Sequence, residues 1–198
     1  MQLNGLKQFN GVLCFPISWI ALHEFNPEQV RNALHGIKPS INPAMLKGIH
    51  AHSKLFQEFK EKALEKDSMQ NILQKSIDFN QTFSSREVFV FSSQLRIFGK
   101  IDEIVLSKNS IQVIDDKTST KLYKGHQLQV LAYALCFQSQ FSPLQEIECL
   151  LRNTDSKQEI WKDKLTDSHK ELVLEKIKQI LELIEEENNE KSILKELI

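Results

Sequence analysis

The amino-acid sequence predicts an α/β domain with a central mixed β-sheet flanked by helices. Helix signals dominate residues 1–80, and three runs rich in Val, Ile and Phe then follow with the two-residue period of strands. A helical segment from His126 to Phe141 leads into another strand-like run. A strand, a helix of about 15 residues and a second strand form a crossover, which favours a parallel pair.

The length and composition favour a single domain over residues 1–198. Of the 198 residues, 41% are hydrophobic and 26% are charged, which is close to the globular average. We expect a mostly helical part over 1–80, the core sheet and helix over 81–165, and an amphipathic C-terminal helix over 166–198.

Three helix starts are predicted in the N-terminal part. Asn26-Pro27 and Asn42-Pro43 each pair a favourable N-cap with proline at the first helical position. Ser68 can cap a third, shorter helix. After Asn42-Pro43, residues recur at steps of three and four, as on one helix face: Met45, Ile49, His52, Phe56, Phe59 and Ala63.

The predicted strands lie in the second half of the chain. Residues 86–93, 95–106 and 111–117 read as three antiparallel strands, and Ser107–Ser110 reads as the turn between the last two. Residues 147–152 read as a further strand, paired with 159–162. From about 168 a helix carries an apolar stripe, with a break expected near Asn188-Asn189.

Composition excludes several classes of protein. No run of about 18 apolar residues is present, so we expect no membrane-spanning helix. The N-terminus is a poor secretory signal, and the cysteines Cys14, Cys136 and Cys149 lie far apart, which excludes a disulfide framework and a four-thiolate metal site from this chain alone. These features favour a cytoplasmic protein. The net charge of −1 predicts no polyanion partner by itself.

The residues most informative about chemistry are Asp102 and the run Asp115-Asp116-Lys117, because they interrupt strongly apolar strands. Residues i and i+2 of a strand share a face, so Asp115 and Lys117 project together and Asp116 points to the other side. Carboxylates on adjacent strands can share a hard cation such as Mg²⁺ or Mn²⁺, and a neighbouring lysine can balance charge that develops on phosphate. The alternative is an ordinary exposed strand end. Burying these charges without a counter-ion is costly, which favours the metal.

Three segments carry a resemblance to a known family: GKIDEI (99–104), VIDDKTST (113–120) and HQLQVLAYAL (126–135). Together they resemble the nuclease core of the PD-(D/E)XK superfamily in its RecB-like branch, which includes CRISPR-associated RecB-type exonucleases. The resemblance implies an αβββαβ core. It further implies that Asp102 and Asp115 are metal ligands, that Lys117 is the catalytic lysine, and that the backbone carbonyl of Asp116 is a further ligand.

The Q-x-x-x-Y element of that branch is matched by Gln129 and Tyr133, whose spacing of four places them on one helix face. The resemblance implies that both support the site and contact the nucleic-acid backbone. A purely packing role is the alternative for Tyr133. His126 lies near the same face, and we expect it to be a surface residue.

The branch also places a histidine upstream in a pattern like G-x-x-x-H, which offers His50 and His52 here. His52 shares the apolar stripe of its predicted helix, whereas His50 lies about 200° away around the axis. With the resemblance, His52 is predicted to be a metal ligand, and a buried structural histidine is the alternative. Glu87 matches an acidic residue that could hold a second metal or position water, and an exposed strand-edge glutamate is equally consistent with the sequence.

Many RecB-type nucleases carry four cysteines that bind an iron–sulfur cluster. Cys14 could stand for the first of them, but the C-terminal helix has none. We therefore expect Mg²⁺ or Mn²⁺ and no iron–sulfur cluster.

The resemblance implies a metal-dependent DNA nuclease, an exonuclease or end-trimming enzyme without sequence specificity that acts on single strands or duplex ends. One alternative is a weak or inactive nuclease-fold module that binds nucleic acid or assembles with a protein partner through its acidic C-terminal helix. Another alternative is a metal-dependent hydrolase of a different phosphate ester.

Overall fold

The structure is a computed structural model that describes residues 3–37 and 68–196, with side chains described as far as Asn189. Within these ranges the strands are β1 (Lys7–Phe9), β2 (Val12–Pro16), β3 (Phe83–Ser92), β4 (Ile97–Leu106), β5 (Ser110–Lys117), β6 (Glu146–Asn153) and β7 (Glu159–Lys164). The helices are α1 (Ser18–Phe25), α2 (Glu28–Leu34), α3 (Met69–Asp78), α4 (Lys124–Phe141) and α5 (Asp167–Glu196). The predicted helix after Asn42-Pro43 lies outside the described residues.

The strands form one mixed sheet, so the predicted fold class is confirmed. Its order is β1-β2-β4-β5-β6-β7, and β3 pairs with β4 off this path. The neighbours β3, β4 and β5 are antiparallel in sequence order, as predicted. Helix α4 joins β5 to β6, and these two strands are parallel, which confirms the predicted crossover. Strand β7 then pairs with β6 in the antiparallel sense.

The N-terminal part, expected to be mostly helical over 1–80, also contains two strands that the sequence reading missed. Residues 7–16 form a hairpin of β1 and β2, and β2 then pairs in parallel with β4. The turn is Asn10-Gly11, in which both residues have positive φ, 50° and 79°. Asn-Gly is the favoured pair for such two-residue hairpin turns, and that signal outweighs the helix pattern further along the chain.

The helix ends follow local chemistry. The Ser68 side chain accepts a hydrogen bond from the backbone N–H of Asn71 and caps α3, as predicted. The Asn26 side chain likewise accepts one from the N–H of Glu28 at the start of α2. The expected break of the C-terminal helix near Asn188-Asn189 is wrong, because α5 continues through these residues to Glu196.

Helix α4 is buried along most of its length and lies between the sheet and α1. The apolar stripe of α5 also faces this core, through Val173, Ile177, Ile180, Leu183 and Ile184. The stripe is therefore used within the chain itself. None of the helices in the described ranges combines the length and apolar character that crossing a bilayer requires.

Candidate active site

The candidate site lies where one edge of β4 changes partners. Strand β3 pairs along the whole of one edge of β4. On the other edge, β2 pairs at Ile97 and Phe98, whereas β5 pairs only from Glu103 to Leu106. Between these two ladders, residues 99–102 pair with no strand on this edge within the ranges 3–37 and 68–196, so the sheet opens at the G-x-x-D motif.

The backbone is irregular at the same place. The core-facing residues of β4 are Ile97 and Ile101 before Asp102, and Ile104 and Leu106 after it, so the alternation shifts by one residue. On β3, Glu87 lies opposite Asp102 between two regular pairs, and it has a φ of 53°. A positive φ is unusual for a residue with a side chain, and such irregularities in strands commonly re-aim side chains at sites.

Asp102 and Asp115 meet at this opening, because the register that pairs Glu103 with Ile114 brings them opposite each other. Asp102 Oδ2 accepts a hydrogen bond from the backbone N–H of Asp116 at 2.7 Å. Burial raises the pKa of the Asp102 carboxyl well above its ordinary value, and the Asp115 charge raises it further, while the Asp116 amide opposes both. A buried carboxyl whose ionisation is opposed by a neighbouring carboxylate favours a positive charge close to both.

Asp115 is only 3% exposed, and its Oδ2 atom makes no hydrogen bond within the described structure. The Lys117 Nζ atom lies 2.7 Å from this oxygen, outside hydrogen-bond directions. The same Nζ donates a hydrogen bond to Gln129 Oε1 at 3.2 Å. The lysine is therefore held between the acid on β5 and the amide on α4.

Gln129 and Tyr133 of α4 face the same opening, so the structure brings the predicted pair to the site. Burial raises the pKa of the Tyr133 phenol above its ordinary value, the Asp115 charge adds to this, and a hydrogen bond with Gln129 opposes it. Asp102 and Glu87 also raise this pKa, so Glu87 lies within electrostatic reach of the site. Its carboxylate is 3.5 Å from the Lys100 ammonium.

Gly99 allows Tyr133 to take this position. A Cβ atom at Gly99 would lie 2.7 Å from Tyr133 Cε1, closer than nonbonded carbon atoms approach each other. The glycine of the G-x-x-D motif is thus explained by the close approach of an aromatic ring from α4.

The Asp116 side chain points to the opposite face, as strand alternation predicts, and enters an ion network spanning four strands. Asp116 Oδ2 lies 2.6 Å from an Arg86 nitrogen, and Arg152 Nε lies 2.8 Å from Asp116 Oδ1. Both arginines also contact Glu103 Oε2, at 2.5 and 2.6 Å. Burial alone would raise the pKa of Asp116, but hydrogen bonds and charge from Arg152 and Arg86 hold it below the ordinary value.

Sequence reasoning missed this network, which consists of Arg86, Glu103, Asp116 and Arg152. A signal for it was present, because Asp116 was predicted to face away from the metal and still to lie in an apolar strand. A buried carboxylate in that position requires a cation, and Arg86 and Arg152 are among the basic residues of the neighbouring apolar runs, although the sequence does not single them out. A second residue that was missed is Asn153, whose amide donates to the carbonyls of Lys117 and Thr118.

The structure describes only one of the three histidines considered in the sequence analysis. His52 falls outside the described residues, so its role as a metal ligand stays a prediction, and His50 falls outside them as well. His126, expected to be a surface residue, is half-buried. Burial lowers the pKa of His126 to about 4, with a further contribution from the Lys117 charge. His126 is therefore neutral at pH 7 and lies near the lysine.

The sequence profile of the PD-(D/E)XK nuclease superfamily matches residues 22–193, which include every element of the site. The chain belongs to this superfamily. Its membership confirms the superfamily seen in the motifs and supports a nuclease, whereas the RecB-like branch stays a prediction. No curated protein matches the chain in sequence.

Solved structures of this fold resemble the chain at low identity. An alkaline exonuclease from Laribacter hongkongensis is 13% identical with a TM-score of 0.52, and the match covers 93% of this chain and 95% of that one. A putative exonuclease from Eubacterium rectale is 13% identical with a TM-score of 0.44, covering 76% of this chain and 71% of the other. The first of these supports the fold assignment.

PD-(D/E)XK nucleases generally use divalent metal ions, and the residues present fit such an ion. Asp102 and Asp115 supply hard oxygen donors, and one of the Asp115 oxygens is buried without a hydrogen bond. Within the ranges 3–37 and 68–196, neither this site nor any other place has three or more His, Cys, Asp or Glu side chains grouped so that they could hold a metal ion. Further ligands would come from backbone, water or His52.

Proposed function

We propose that the chain is a Mg²⁺- or Mn²⁺-dependent deoxyribonuclease that trims DNA from ends without sequence specificity. The observation that carries the proposal is the meeting of Asp102, Asp115 and Lys117 at the opening of the sheet, where the buried Asp115 Oδ2 lies 2.7 Å from the Lys117 ammonium. Single strands and duplex ends are the proposed substrates, and a cytoplasmic location is proposed with them.

Each residue has a proposed role. Asp102, Asp115 and the carbonyl of Asp116 would hold the cation, with His52 as a further ligand and Glu87 as a candidate ligand for a second ion. When bound, the metal supplies an activated water and neutralises charge on the phosphate. The Lys117 ammonium balances charge that develops on the scissile phosphate. Gln129 holds Lys117 by its hydrogen bond, and Tyr133 in turn holds Gln129.

The test is degradation of end-labelled linear DNA by the full chain with Mn²⁺ present. Asp115→Asn preserves the size of the side chain and removes its charge, so we expect loss of cleavage and loss of Mn²⁺ binding measured by calorimetry. Lys117→Ala should abolish cleavage while the fold persists. Asp167→Asn is the matched control, because Asp167 is exposed at the start of α5, and it should retain full activity.

Circular DNA, RNA and nucleotide substrates separate the alternatives. Resistance of a closed circle supports trimming from ends, whereas cleavage of the circle refutes it. Cleavage of nucleotides but not of DNA would identify a hydrolase of another phosphate ester. Metal-independent DNA binding without cleavage would favour the binding or assembly module. A protein partner that binds the acidic surface of α5 stays a prediction. Unchanged cleavage by Asp115→Asn and Lys117→Ala would overturn the site itself.

A further inference from the structure

Three aromatic rings lie together where the end of α1 meets the start of α4. Phe25 ends α1, Tyr123 precedes α4, and His126 lies in the first turn of α4. The ring centroids of Phe25 and Tyr123 are 5.7 Å apart, and the His126 centroid lies 5.6 Å from Phe25 and 5.3 Å from Tyr123. All three pairs meet edge to face.

This group, named the ring cluster, is close to the proposed catalytic lysine. His126 is three residues before Gln129, so the two side chains are neighbours on one face of α4. Gln129 in turn contacts the Lys117 ammonium at 3.2 Å. The charges of both Lys117 and Asp115 act on His126, as its pKa shows. His126 is therefore about one helical turn from Gln129, which holds the proposed catalytic lysine.

The cluster is held in place rather than loosely attached. A Cβ atom at Gly125 would lie 3.0 Å from Phe25 Cε2 and 3.1 Å from the Ala21 carbonyl, so α1 and α4 approach closely because Gly125 has no side chain. Next to Phe25, Glu24 makes ion pairs of 2.9 Å with Lys124 of α4 and Lys176 of α5. A surface fixed in this way loses little conformational entropy when it binds a ligand.

Despite these contacts, Phe25 is 49% exposed. The charge around the ring cluster is suited to a polyanion, because Lys121 is exposed and its ammonium lies 5.3 Å from the Tyr123 ring centroid. Aromatic faces beside lysines are the arrangement by which proteins bind single-stranded nucleic acid, stacking on the bases and neutralising the backbone.

We propose that Phe25 and Tyr123 form a stacking surface for an unpaired nucleobase of the DNA strand whose phosphate enters the Asp102–Asp115–Lys117 site. The proposal rests on the proposed nuclease function and deepens it, because it names the surface that would hold an unpaired base of the substrate strand. Bases inside a duplex are already stacked on both faces, so only a frayed, terminal or single-stranded base can occupy the surface.

Binding without cleavage tests this surface separately from the chemistry. Fluorescein-labelled oligothymidine and an abasic oligonucleotide of equal length and charge are titrated with the full chain in EDTA, and affinity is read from anisotropy. Oligothymidine should bind at least about fivefold more tightly, the lower end of what one stacked base contributes. Phe25→Leu and Tyr123→Leu should each reduce this ratio, with thermal unfolding confirming that the variants fold.

Phe89→Leu is the matched control, since Phe89 is an exposed phenylalanine of β3 (43% exposed) in a separate aromatic group with Phe9, Phe91 and Phe98. This variant should keep the wild-type ratio. Equal affinity of the wild type for both oligonucleotides, unchanged ratios in Phe25→Leu and Tyr123→Leu, or an equal loss in Phe89→Leu would each overturn the stacking surface. Base-dependent binding without any cleavage would retain the surface and refute the nuclease, whereas cleavage without base dependence would do the reverse.

Discussion

Replacing Arg152 with methionine removes one of two cations from the buried network behind the site. Arg152 contacts Asp116 through Nε at 2.8 Å and through Nη2 at 3.0 Å, and it contacts Glu103 at 2.6 Å. In the wild type two arginines balance two carboxylates. In the variant, Arg86 alone faces both acids, and the side chain of Asp116 has no exposure to water.

The expected loss of unfolding free energy is about 3–5 kcal/mol, the usual result of breaking a buried ion pair from one side. Arg86 still contacts both acids, which places the expectation toward the lower end of that range. The methionine fills much of the volume of the arginine stem, so most of the loss comes from the uncompensated charge and not from a cavity. Arg152→Lys retains the charge but cannot make the paired contacts of a guanidinium. Its unfolding free energy should therefore lie between those of Arg152→Met and the wild type.

The measurement is urea-induced unfolding followed by circular dichroism, with the free energy obtained from the midpoint and slope. Lys178→Met is the control, because Lys178 and Glu182 form an exposed pair on α5 at 3.9 Å, and its removal should cost less than about 0.5 kcal/mol. The double variant Arg152→Met/Asp116→Asn should lose less than the sum of the two single variants. A loss below about 1 kcal/mol in Arg152→Met, or strict additivity in the double variant, would refute the reasoning.

Three further perturbations test the packing around the site. Gly99→Ala should lower the unfolding free energy by about 1–3 kcal/mol by forcing Tyr133 away, and an unchanged thermal midpoint would contradict that contact. Asn153→Ala should lower the unfolding free energy, measured in urea, by about 1–3 kcal/mol. The variant removes one hydrogen bond to the Lys117 carbonyl and the bond from the Ser156 N–H that holds the 154–156 turn. A loss of only a few tenths of a kcal/mol would argue against this role. Hydrogen bonds to Lys124 and Lys176 hold the pKa of Glu24 below its ordinary value, so the stabilisation is present above the ordinary pKa and is lost as the pH falls through the folded-state pKa. Glu24→Gln should therefore be less stable than the wild type at pH 7 and approach it in acid, and a difference independent of pH would exclude the linkage.

Most of the second half of the fold could be predicted from local patterns. The period of two in residues 86–117, the Ser107–Ser110 turn and the long apolar helix after His126 all specify structure over a few residues. The N-terminal hairpin was missed although Asn10-Gly11 signals it, because the pattern of strands this short covers too few residues to outweigh neighbouring helix signals. The break expected at Asn188-Asn189 failed for the opposite reason. The stripe of α5 is buried against the core, and such packing overrides the weak helix propensity of two asparagines.

The candidate site likewise has some features that local sequence patterns predict and others that they do not. Strand alternation predicted that Asp115 and Lys117 share a face and that Asp116 points away, and helix spacing placed Gln129 with Tyr133. No local pattern could show that Arg86 and Arg152 meet Asp116, because their three strands are far apart in sequence and are joined only by the sheet register.

The sequence by itself determined which polar side chains are available for the site and which of them share a face of a strand or helix. Backbone geometry repeats every two residues in a strand and about every 3.6 in a helix, so shared faces can be read from spacing. The tertiary structure decided where the sheet opens along β4, how closely α4 approaches Gly99, and which cations balance Asp116. These outcomes depend on contacts between segments distant in the chain, where packing and the need to neutralise buried charge act without leaving a period in the sequence.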